Sequence, residues 1–449
     1  MKTQKTYQSE FRATKYGITI RMKSTNTIEN LYLKRLVDSQ LDFYLSTFGA
    51  VCVEGPKWCG KTWTCTMHSK SRFLVGHPAG NFANRQLAKL DVNQALSGAY
   101  PHLIDEWQEV PSIWDAVRYS VDENPDCGKY ILTGSATPVE KGILHSGTGR
   151  IARLSMHPMS LQESGHSAGV VSLRDVCRGV DIGVHSVKEP LLEDIVEYVM
   201  RGGWPGGIGK SLPQALLIPR DYIRNVAEID VQKLDGIERD AVKVMKCLRS
   251  LARNESTTAS TNTIRNDIAE NDDANLSINT VTGYIASFNR LFLLRDTRPF
   301  SPFARSPMRI KQQAKRRFCD PSLAAALLGF SPKTLMRDVR TLGLLFESLA
   351  LRDLEIYAET IEGELYHYQD YSGGDFDAVV QTPDHGWSAF EVKLDASQVD
   401  EAATSLVKIA SRFVHNPPTA LAVIVGKSGL AYRRKEDGVY VLPLTALGA

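Results

Sequence analysis

A short glycine-containing segment after an apolar run sets the strongest limit on how this chain folds. Residues 49–55 read GAVCVEG, which is typical of a buried parallel strand, and KTWTCTMHSK from residue 61 is typical of a helix. Between them, GPKWCGKT at 55–62 fits the pattern GxxxxGK[ST] in full. The pattern predicts a strand, a tight loop and a helix in direct succession.

In such a loop, backbone N–H groups and the helix N-terminus surround negatively charged phosphates. We expect the ammonium of Lys61 to meet the β- and γ-phosphate oxygens and the hydroxyl of Thr62 to ligate Mg²⁺. The residues predicted to bind the nucleotide are Gly55, Pro56, Lys57, Trp58, Cys59, Gly60, Lys61, Thr62 and Trp63. The alternative is a glycine turn in front of a surface helix.

Two carboxylates end a second apolar strand. The segment YPHLIDEWQEVP places Leu103 and Ile104 directly before Asp105 and Glu106. We predict that Asp105 binds Mg²⁺ through water and that Glu106 orients or deprotonates the attacking water. Two acids at a solvated strand end are the alternative.

A third apolar strand, in GKYILTGSATP, ends in Thr133, Gly134 and Ser135. Ser135 is predicted to contact the γ-phosphate or the attacking water. Three strands that end in polar residues indicate an α/β fold, in which the carboxyl edge of a parallel sheet with flanking helices is the active site. ATP and Mg²⁺ are the expected ligands, and ATP hydrolysis is the expected reaction.

The order of these motifs resembles the AAA-superfamily ATPases of bacteria and archaea that carry a C-terminal domain of unknown function. The resemblance continues through YLKRLVDSQLDFYL (32–45), SGTGRIARLSMHPMSLQE (146–163), RGGWPGG (201–207), RRFCDPSLAAALLG (316–329), LGLLFESLALRDL (342–354) and FEVKLD (390–395). The loop reads GPKWCGKT where the family usually has GPRQVGKT. The resemblance implies a P-loop ATPase that works as a homo-oligomeric ring, expected to be a hexamer.

The resemblance also implies a catalytic role for Arg150, which follows a glycine after the third strand. Its guanidinium would act as an arginine finger on the γ-phosphate, either within its own subunit or across to a neighbour. Arg153 is the fallback for this role, and a plain surface arginine is the alternative.

Composition places these motifs in a globular chain of several domains. The 449 residues are 43% hydrophobic and 23% charged, which predicts two to four domains. The net charge of +2 gives no whole-protein attraction to nucleic acid. The seven cysteines lack CxxC spacing, and no stretch approaches the roughly 18 apolar residues of a membrane span. We therefore expect free thiols, no membrane contact and a cytoplasmic location.

The sequence predicts a polar flexible tail followed by four folded parts. The tail, residues 1–28, lacks an apolar signal core, and its natural start is Met1 or Met22. The parts are an AAA ATPase domain at 29–190, a helical lid or linker at 191–238, a winged-helix domain with a basic segment at 239–330, and a nuclease-like domain at 331–449. In the lid, Arg201 is either a second phosphate sensor or part of a helix-ending turn.

Residues 240–300 read as two helices, a third helix with Ser277 as its N-cap, and a wing-like hairpin, which is the winged-helix layout. The polar candidates for DNA contact on the third helix are Thr280, Thr282, Tyr284 and Asn289. The following basic segment is predicted to bind DNA phosphates through Arg305, Arg309, Lys311, Lys315, Arg316 and Arg317. A solvated basic face and a protein-docking module are the alternatives.

The last part reads as α/β again, with an acid on a helix and acids on two strands. Glu347, Asp377, Glu391 and Lys393 together resemble the restriction-endonuclease-like PD-(D/E)xK fold. The resemblance implies that Asp377 and Glu391 hold Mg²⁺, that Lys393 positions or activates water, and that Glu347 completes the site. A retained site that only binds DNA is the alternative.

These features together predict a Mg²⁺-dependent AAA+ ATPase that binds ATP and ADP and couples hydrolysis to DNA translocation, remodelling or processing, with a C-terminal nuclease site. Two other classes stay open. One is a nucleotide-gated regulator or defence-type effector in which the nuclease does the work. The other is a protein-remodelling ATPase whose nuclease-like domain is not catalytic.

Overall fold

The computed structural model describes residues 32–137, 145–234, 236, 239–301, 311 and 313–449. Before residue 32 it describes the backbone of two short strands that pair antiparallel, β1 (Thr14–Lys15) and β2 (Ile18–Thr19). The rest of the predicted tail lies outside the described residues. Within the described part, no helix is both long and apolar enough to cross a membrane. All seven cysteines are free, as predicted.

A five-stranded parallel sheet organises the N-terminal half. Its strands are β3 (Ala50–Glu54), β4 (Ser71–Leu74), β5 (His102–Asp105), β6 (Tyr130–Gly134) and β7 (Ile151–Ser155). Their order across the sheet is β4-β5-β6-β3-β7. This arrangement confirms the predicted α/β fold with a parallel sheet.

Helices cover both faces of this sheet, which explains why β3 is apolar at successive positions. The helices of this half are α1 (Val37–Thr47), α2 (Lys61–Met67), α3 (Ala79–Leu90), α4 (Asn93–Leu96) and α5 (Ser112–Glu123), with a 3₁₀ turn at Trp107–Glu109. Ala50 and Cys52 pack in one core with α5, whereas Val51 and Val53 pack in another with α1.

The chain after residue 165 leaves this sheet and joins the C-terminal part. It forms β8 (Val171–Ser172), α6 (Leu173–Cys177) and β9 (His185–Ser186). β8 pairs with residues 447–448 and β9 pairs with residues 430–431. Residues 171–186, predicted as part of the ATPase domain, therefore pack with the end of the chain.

A run of helices and a hairpin fills the middle of the chain. The lid region contains α7 (Leu192–Arg201), a 3₁₀ turn Pro205–Gly207, α8 (Leu212–Ala215), α9 (Leu217–Asn225), a π-helical turn Val226–Asp230 and α10 (Val231–Lys233). Next come α11 (Ala241–Arg253), α12 (Thr261–Asn271), α13 (Ile278–Arg290), β10 (Leu294–Pro299) and β11 (Lys315–Phe318). Ser277 caps α13 by accepting the N–H of Thr280 at 3.1 Å, which confirms the predicted N-cap.

The C-terminal part is built on a large mixed sheet. Its elements are α14 (Pro321–Leu327), α15 (Pro332–Arg337), α16 (Val339–Glu359), β12 (Glu364–Gln369), β13 (Asp375–Gln381), β14 (Trp387–Asp395), a 3₁₀ turn Ala396–Gln398, α17 (Val399–Ala410), β15 (Ala420–Lys427), β16 (Leu430–Arg433), β17 (Tyr440–Pro443) and β18 (Leu447–Gly448). The nine strands run in the order β11-β10-β12-β13-β14-β15-β17-β16-β9. The hairpin β10–β11 is thus continuous with the C-terminal sheet.

One hydrophobic core runs through the predicted lid, the three-helix region and helix α16. Inside it, the guanidinium of Arg352 on α16 donates to Asp320 at 2.8 Å and to Asp353 at 2.7 Å. Asp320 also accepts the N–H of Gly203 at 2.8 Å, and Asp353 accepts the N–H of Leu161 at 2.9 Å. All three charged side chains are fully buried, so this network fixes α16 to the lid turn and to the segment after β7.

We expect Arg352→Met to lower the free energy of unfolding by about 3–5 kcal/mol, because it leaves Asp320 and Asp353 buried without their counter-ion. Urea denaturation measures the loss. The control is Arg340→Met, an exposed arginine on the same helix, for which the change should stay within about 0.5 kcal/mol. Equal losses for the two variants would contradict the structural role of the buried charges.

Candidate active site

The loop between β3 and α2 folds tightly against the segment after β7. A Cβ at Gly55 would lie 2.0 Å from the carbonyl oxygen of Met156, so only glycine fits there. The ammonium of Lys61, which is 5% exposed, donates to the carbonyls of Gly55 at 2.8 Å and Pro56 at 2.7 Å. The loop thus encloses the lysine charge at the N-terminus of α2, as the sequence pattern predicts.

Arg35 holds this loop from behind, and sequence reasoning gave it no role. Its guanidinium donates to the carbonyls of Cys59 at 2.7 Å and His157 at 2.9 Å, and to the carboxylate of Glu163 at 2.9 Å. Arg35 is 5% exposed. The available signal was its place in the segment 32–45, which belongs to the family resemblance.

Asp105 lies beside the loop, at the carboxyl end of β5. One of its oxygens accepts the hydroxyls of Thr62 at 2.9 Å and Thr133 at 2.7 Å. Because β6 lies between β3 and β5, Thr133 at its end links the two motifs. The structure therefore brings together the two residues predicted to bind Mg²⁺, and carboxylate and hydroxyl oxygens suit that ion.

Glu106 follows Asp105 in a left-handed conformation with a φ of 58°. Its backbone N–H donates to the hydroxyl of Thr133 at 3.0 Å, and its carboxylate accepts the hydroxyl of Ser135 at 2.9 Å and the side-chain amide of Gln108. Glu106 and Ser135 thus meet at the sheet edge, as predicted. The contact from Gln108 was not anticipated, because no pattern assigns it.

A cavity of about 860 Å³ opens in front of these groups. Its walls include Lys61, Thr62, Glu106 and Ser135 from the sheet edge, and Lys233 from the lid. Its lining also includes Lys57, Trp58, Gly60, Trp63, Gln108, Thr137, Trp204, Pro205, Gly206 and Asp230. Lys57 binds Asp230 at 2.6 Å, so the loop and the lid are in direct contact.

A second pocket of about 260 Å³ adjoins the first at Gly60, Trp63, Pro205 and Gly206. It is lined mainly by apolar and aromatic groups, with Tyr32, Leu33 and Met159 among them. The cavity at the loop contributes charged and hydroxyl groups, and the pocket beside it adds apolar surface, so together they offer both kinds of contact that a nucleotide needs.

The arginines proposed to contact phosphate lie elsewhere. The carbonyl of Arg150 accepts the N–H of Ala50 at 3.1 Å, at the start of β3, whereas the loop follows the end of that strand about 15 Å away. Its guanidinium binds Asp122 at 2.7 Å and is 47% exposed. The geometry gives Arg150 no contact with the cavity of its own subunit.

Two further arginines are engaged in structural contacts. Arg153 binds Glu54 and lies over the ring of Trp114. Arg201 donates to the carbonyls of Gly207 at 3.1 Å and Lys210 at 2.8 Å. Arg201 therefore stabilises the helix-ending turn, which was the alternative to its sensor role.

A second cluster of charged groups lies in the C-terminal part. Asp377 on β13 neighbours Glu391 on β14, and Lys393 binds Glu391 at 2.7 Å. Lys315 on β11 lies 2.8 Å from Glu347 on α16 and 3.5 Å from Asp377. The structure thus brings the four predicted residues into one cluster, and adds Lys315, which the sequence assigned to a DNA surface.

Burial shifts the ionisation of this cluster. Burial raises the pKa of Glu347 to about 7, helped by the charge of Asp377 and opposed by Lys315. Burial likewise raises the pKa of Glu391 to about 8, with Asp377 adding to the shift and Lys393 opposing it. Burial disfavours the charged form of Lys315, but Glu347 and Asp377 outweigh it and raise its pKa.

The carboxylate oxygens of Asp377 and Glu391 are hard ligands on adjacent strands, which fits the Mg²⁺ that the family resemblance implies. One oxygen of Asp377 accepts the N–H of Val392 at 2.9 Å, and the other faces Lys315. The donor set is therefore suitable, but lysine ammonium groups already occupy positions next to the carboxylates.

Ligand atoms of His157, Glu355 and Glu359 lie within 4.8 Å of one another. Burial opposes ionisation of Glu355, but the guanidinium groups of Arg295 and Arg317 outweigh it and hold the pKa of Glu355 well below its ordinary range. Arg295 and Arg317 already bind Glu355, and their positive charges would repel a metal ion. We therefore assign no metal to this group.

The basic segment is turned toward carboxylates in the part the structure describes. Arg316 binds Asp296 at 2.7 Å, and Arg317 is 1% exposed and bound to Glu355. The prediction of a DNA contact is therefore wrong for Arg317, since its charge is buried and paired. The same prediction finds no support for Lys315 or Arg316, because their charges are also paired.

The remaining DNA candidates divide in two groups. Arg305 and Arg309 lie outside the described residues, and the backbone N–H of Lys311 donates to Gln369 at 2.9 Å. On α13, Thr282 and Asn289 are exposed and Thr280 is partly exposed, whereas Tyr284 is buried in the core. The prediction of a DNA contact is wrong for Tyr284, because its ring is buried beside Phe288.

Comparison with known proteins agrees with the geometry of the first site. Residues 47–165, which contain the parallel sheet, the loop and Asp105, match the model of an AAA domain. This stretch of the chain is therefore similar to an AAA-type P-loop domain. Residues 192–334 and 342–447 match two domains of unknown function, DUF8612 and DUF4143. The curated proteins give no match.

Three solved structures resemble parts of this chain distantly. A Walker-type ATPase of Pyrococcus abyssi is 13% identical, with 66% of this chain and 96% of that chain covered and a TM-score of 0.41. The Orc1 protein of Aeropyrum pernix, in complex with DNA, is 13% identical over 68% and 94%, with a TM-score of 0.28. A RuvB variant of Thermotoga maritima is 15% identical over 58% and 88%, with a TM-score of 0.26. These are distant resemblances, and no functional assignment rests on them.

We expect Glu391→Gln to flatten the pH dependence of stability measured in EDTA. Folded Glu391 keeps its proton up to pH about 8, against an ordinary pKa of 4.5. Its contribution to stability is therefore full below pH 4.5 and is lost as pH rises through about 8. Melting temperatures between pH 5 and 8 should fall less in this variant than in the wild type. Glu401→Gln, an exposed acid on α17, is the control and should follow the wild type.

Proposed function

We propose that this protein is a Mg²⁺-dependent ATPase whose nucleotide lies in the cavity between the AAA sheet and the lid. One observation carries the proposal: Lys61, Thr62, Asp105, Glu106 and Ser135 converge at one edge of the sheet beside that cavity, where Thr62 donates to Asp105 and Ser135 donates to Glu106. The spacing of these residues in the sequence follows from their places at the ends of β3, β5 and β6, which meet at this edge.

Each residue has a role that follows from its chemistry. Lys61 exchanges the carbonyls of Gly55 and Pro56 for phosphate oxygens, which are stronger acceptors because they are charged. Thr62 and Asp105 hold the Mg²⁺, which offsets the negative charge on the phosphates. Glu106 orients and deprotonates the attacking water once its carboxylate leaves Ser135 and Gln108.

Two substitutions separate binding from catalysis. We expect Lys61→Ala to lose both ATP binding and turnover, whereas Glu106→Gln should keep binding and lose about 10²–10⁴-fold in kcat. Calorimetry and a phosphate-release assay measure the two quantities. Lys70→Ala, which removes an exposed lysine just beyond α2, should behave as wild type. Normal turnover by Lys61→Ala would remove the nucleotide-site assignment.

We further propose that Arg150 completes the active site of a neighbouring subunit in a ring. Its exposure and its distance from the cavity of its own chain support this role over one within the subunit. Arg150→Ala and Lys61→Ala should each be inactive alone. Mixing them should restore hydrolysis, because a site can then combine Lys61 from one variant with Arg150 from the other. Failure of the mixture to recover activity would argue against a shared site.

We propose that hydrolysis is coupled to work on DNA and that the C-terminal cluster is the site of DNA processing. The helices α11 to α13 and the hairpin β10–β11 follow the winged-helix order, which supports this proposal. Arg290, at the end of α13, donates to the carbonyl of Thr137, which lines the nucleotide cavity. This contact connects the third helix to the site of hydrolysis.

We expect Arg305 and Arg309 to make the main phosphate contacts, because the exposed polar candidates on α13, Thr282 and Asn289, are uncharged. Replacing both arginines by alanine should weaken DNA binding and reduce the slope of log affinity against log salt by about 2. The control is Arg316→Ala, which should leave the slope unchanged because the guanidinium of Arg316 already binds Asp296.

Stimulation of ATP hydrolysis by DNA separates this function from a nucleotide-gated switch, which would hydrolyse ATP slowly with or without DNA.

A further inference from the structure

Lys315 reaches from the hairpin strand β11 into the acidic cluster of the C-terminal part. Its ammonium lies 2.8 Å from Glu347 and 3.5 Å from a carboxylate oxygen of Asp377, and it donates to the backbone carbonyl of Asp377 at 3.3 Å. Its side chain is 12% exposed. Lys315 therefore bridges an acid on α16 and an acid on β13, which belong to different elements.

These contacts use the oxygens that a metal ion would need. The second carboxylate oxygen of Asp377 is already bound to the N–H of Val392 at 2.9 Å, so the oxygen facing Lys315 is the one left for a ligand. Among the described residues, three metal-ligating side chains converge within 4.8 Å at His157, Glu355 and Glu359, and not at this cluster. The carboxylates here are arranged around an ammonium group.

Contacts with α16, with Glu255 and with the neighbouring strand β10 hold β11, which keeps Lys315 in place. Arg317, two residues along and on the same face, binds Glu355 on α16. The N–H of Phe318 donates to the buried carboxylate of Glu255 at 3.1 Å. β11 also pairs with β10 over four residues. Lys315 thus belongs to a strand that ion pairs and a ladder hold against α16.

We propose that Lys315 is the internal cation shared by Glu347 and Asp377 and competes with a divalent cation for these two acids. A divalent ion enters the cluster only when the ammonium leaves, because two cations within a few ångströms of the same oxygens repel each other. The inference concerns binding of the metal to the cluster. It is independent of ATP hydrolysis and of whether the cluster cleaves DNA.

Binding of Mn²⁺ to the full-length, nucleotide-free protein tests this competition. By calorimetry, Lys315→Met should bind Mn²⁺ at least tenfold more tightly than the wild type. Lys315→Arg keeps the charge and should stay close to the wild type. Arg316→Met removes a charge from the same strand without touching the cluster, and should also leave Mn²⁺ affinity unchanged.

A second substitution locates the ion. Adding Asp377→Asn to Lys315→Met should abolish the gain in affinity, and a gain that survives it would place the ion elsewhere and overturn the proposal. Wild-type affinity in a Lys315→Met variant that still unfolds cooperatively would also overturn it.

Hydrogen exchange of the wild-type protein provides a measurement that needs no variant. Saturating Mn²⁺ should speed amide exchange in residues 315–318, because displacing Lys315 removes one of the two ion pairs that hold β11 to α16 and so makes local opening of the strand easier. Mn²⁺ binding that requires Asp377 but leaves exchange in this strand unchanged would contradict the competition. Both measurements can fail while ATP hydrolysis stands, so they test this inference separately.

Discussion

The buried charge network around Arg352 is the constraint on which the arrangement of the chain depends. A guanidinium and two carboxylates without solvent are stable only while each stays paired, so the segments that supply them must stay in register. Through Asp320 and Asp353 the network fixes α16 to the lid turn at Gly203 and to the backbone at Leu161. The lid turn lies against the nucleotide cavity, since its neighbours Trp204 and Pro205 line it. One helix therefore connects the nucleotide cavity to the acidic cluster that contains Glu347.

Local patterns were sufficient for the nucleotide site. The strand, loop and helix around Lys61 follow from an apolar run and a glycine pattern, and Asp105 and Ser135 follow from the rule that parallel strands end at one sheet edge. The contacts of Arg35 and Gln108 could not be predicted in this way, because they depend on tertiary packing between segments far apart in the chain. Arg150 shows the same limit, since only the register of β7 against β3 reveals which end of the sheet it occupies.

The basic run at 315–317 shows why charge in a sequence does not identify a surface. Alternation along a strand turns Lys315 and Arg317 to one face, and that face meets the acids of α16. Whether these cations face solvent or are buried depends on α16, which begins more than twenty residues later in the chain. By contrast, the cluster of Glu347, Asp377, Glu391 and Lys393 was predicted correctly, because the order of these residues in the chain resembles that of the PD-(D/E)xK fold.

The unbroken sheet from β11 to β9 has a mechanical consequence. Backbone hydrogen bonds across adjoining strands resist shear, so the hairpin and the C-terminal strands behave as a single plate. Two contacts join the parallel-sheet domain to the elements beside that plate, Arg290 with Thr137 and His157 with Glu359. The hairpin and the acidic cluster are in consequence parts of one stiff body, so a displacement of either strains the other.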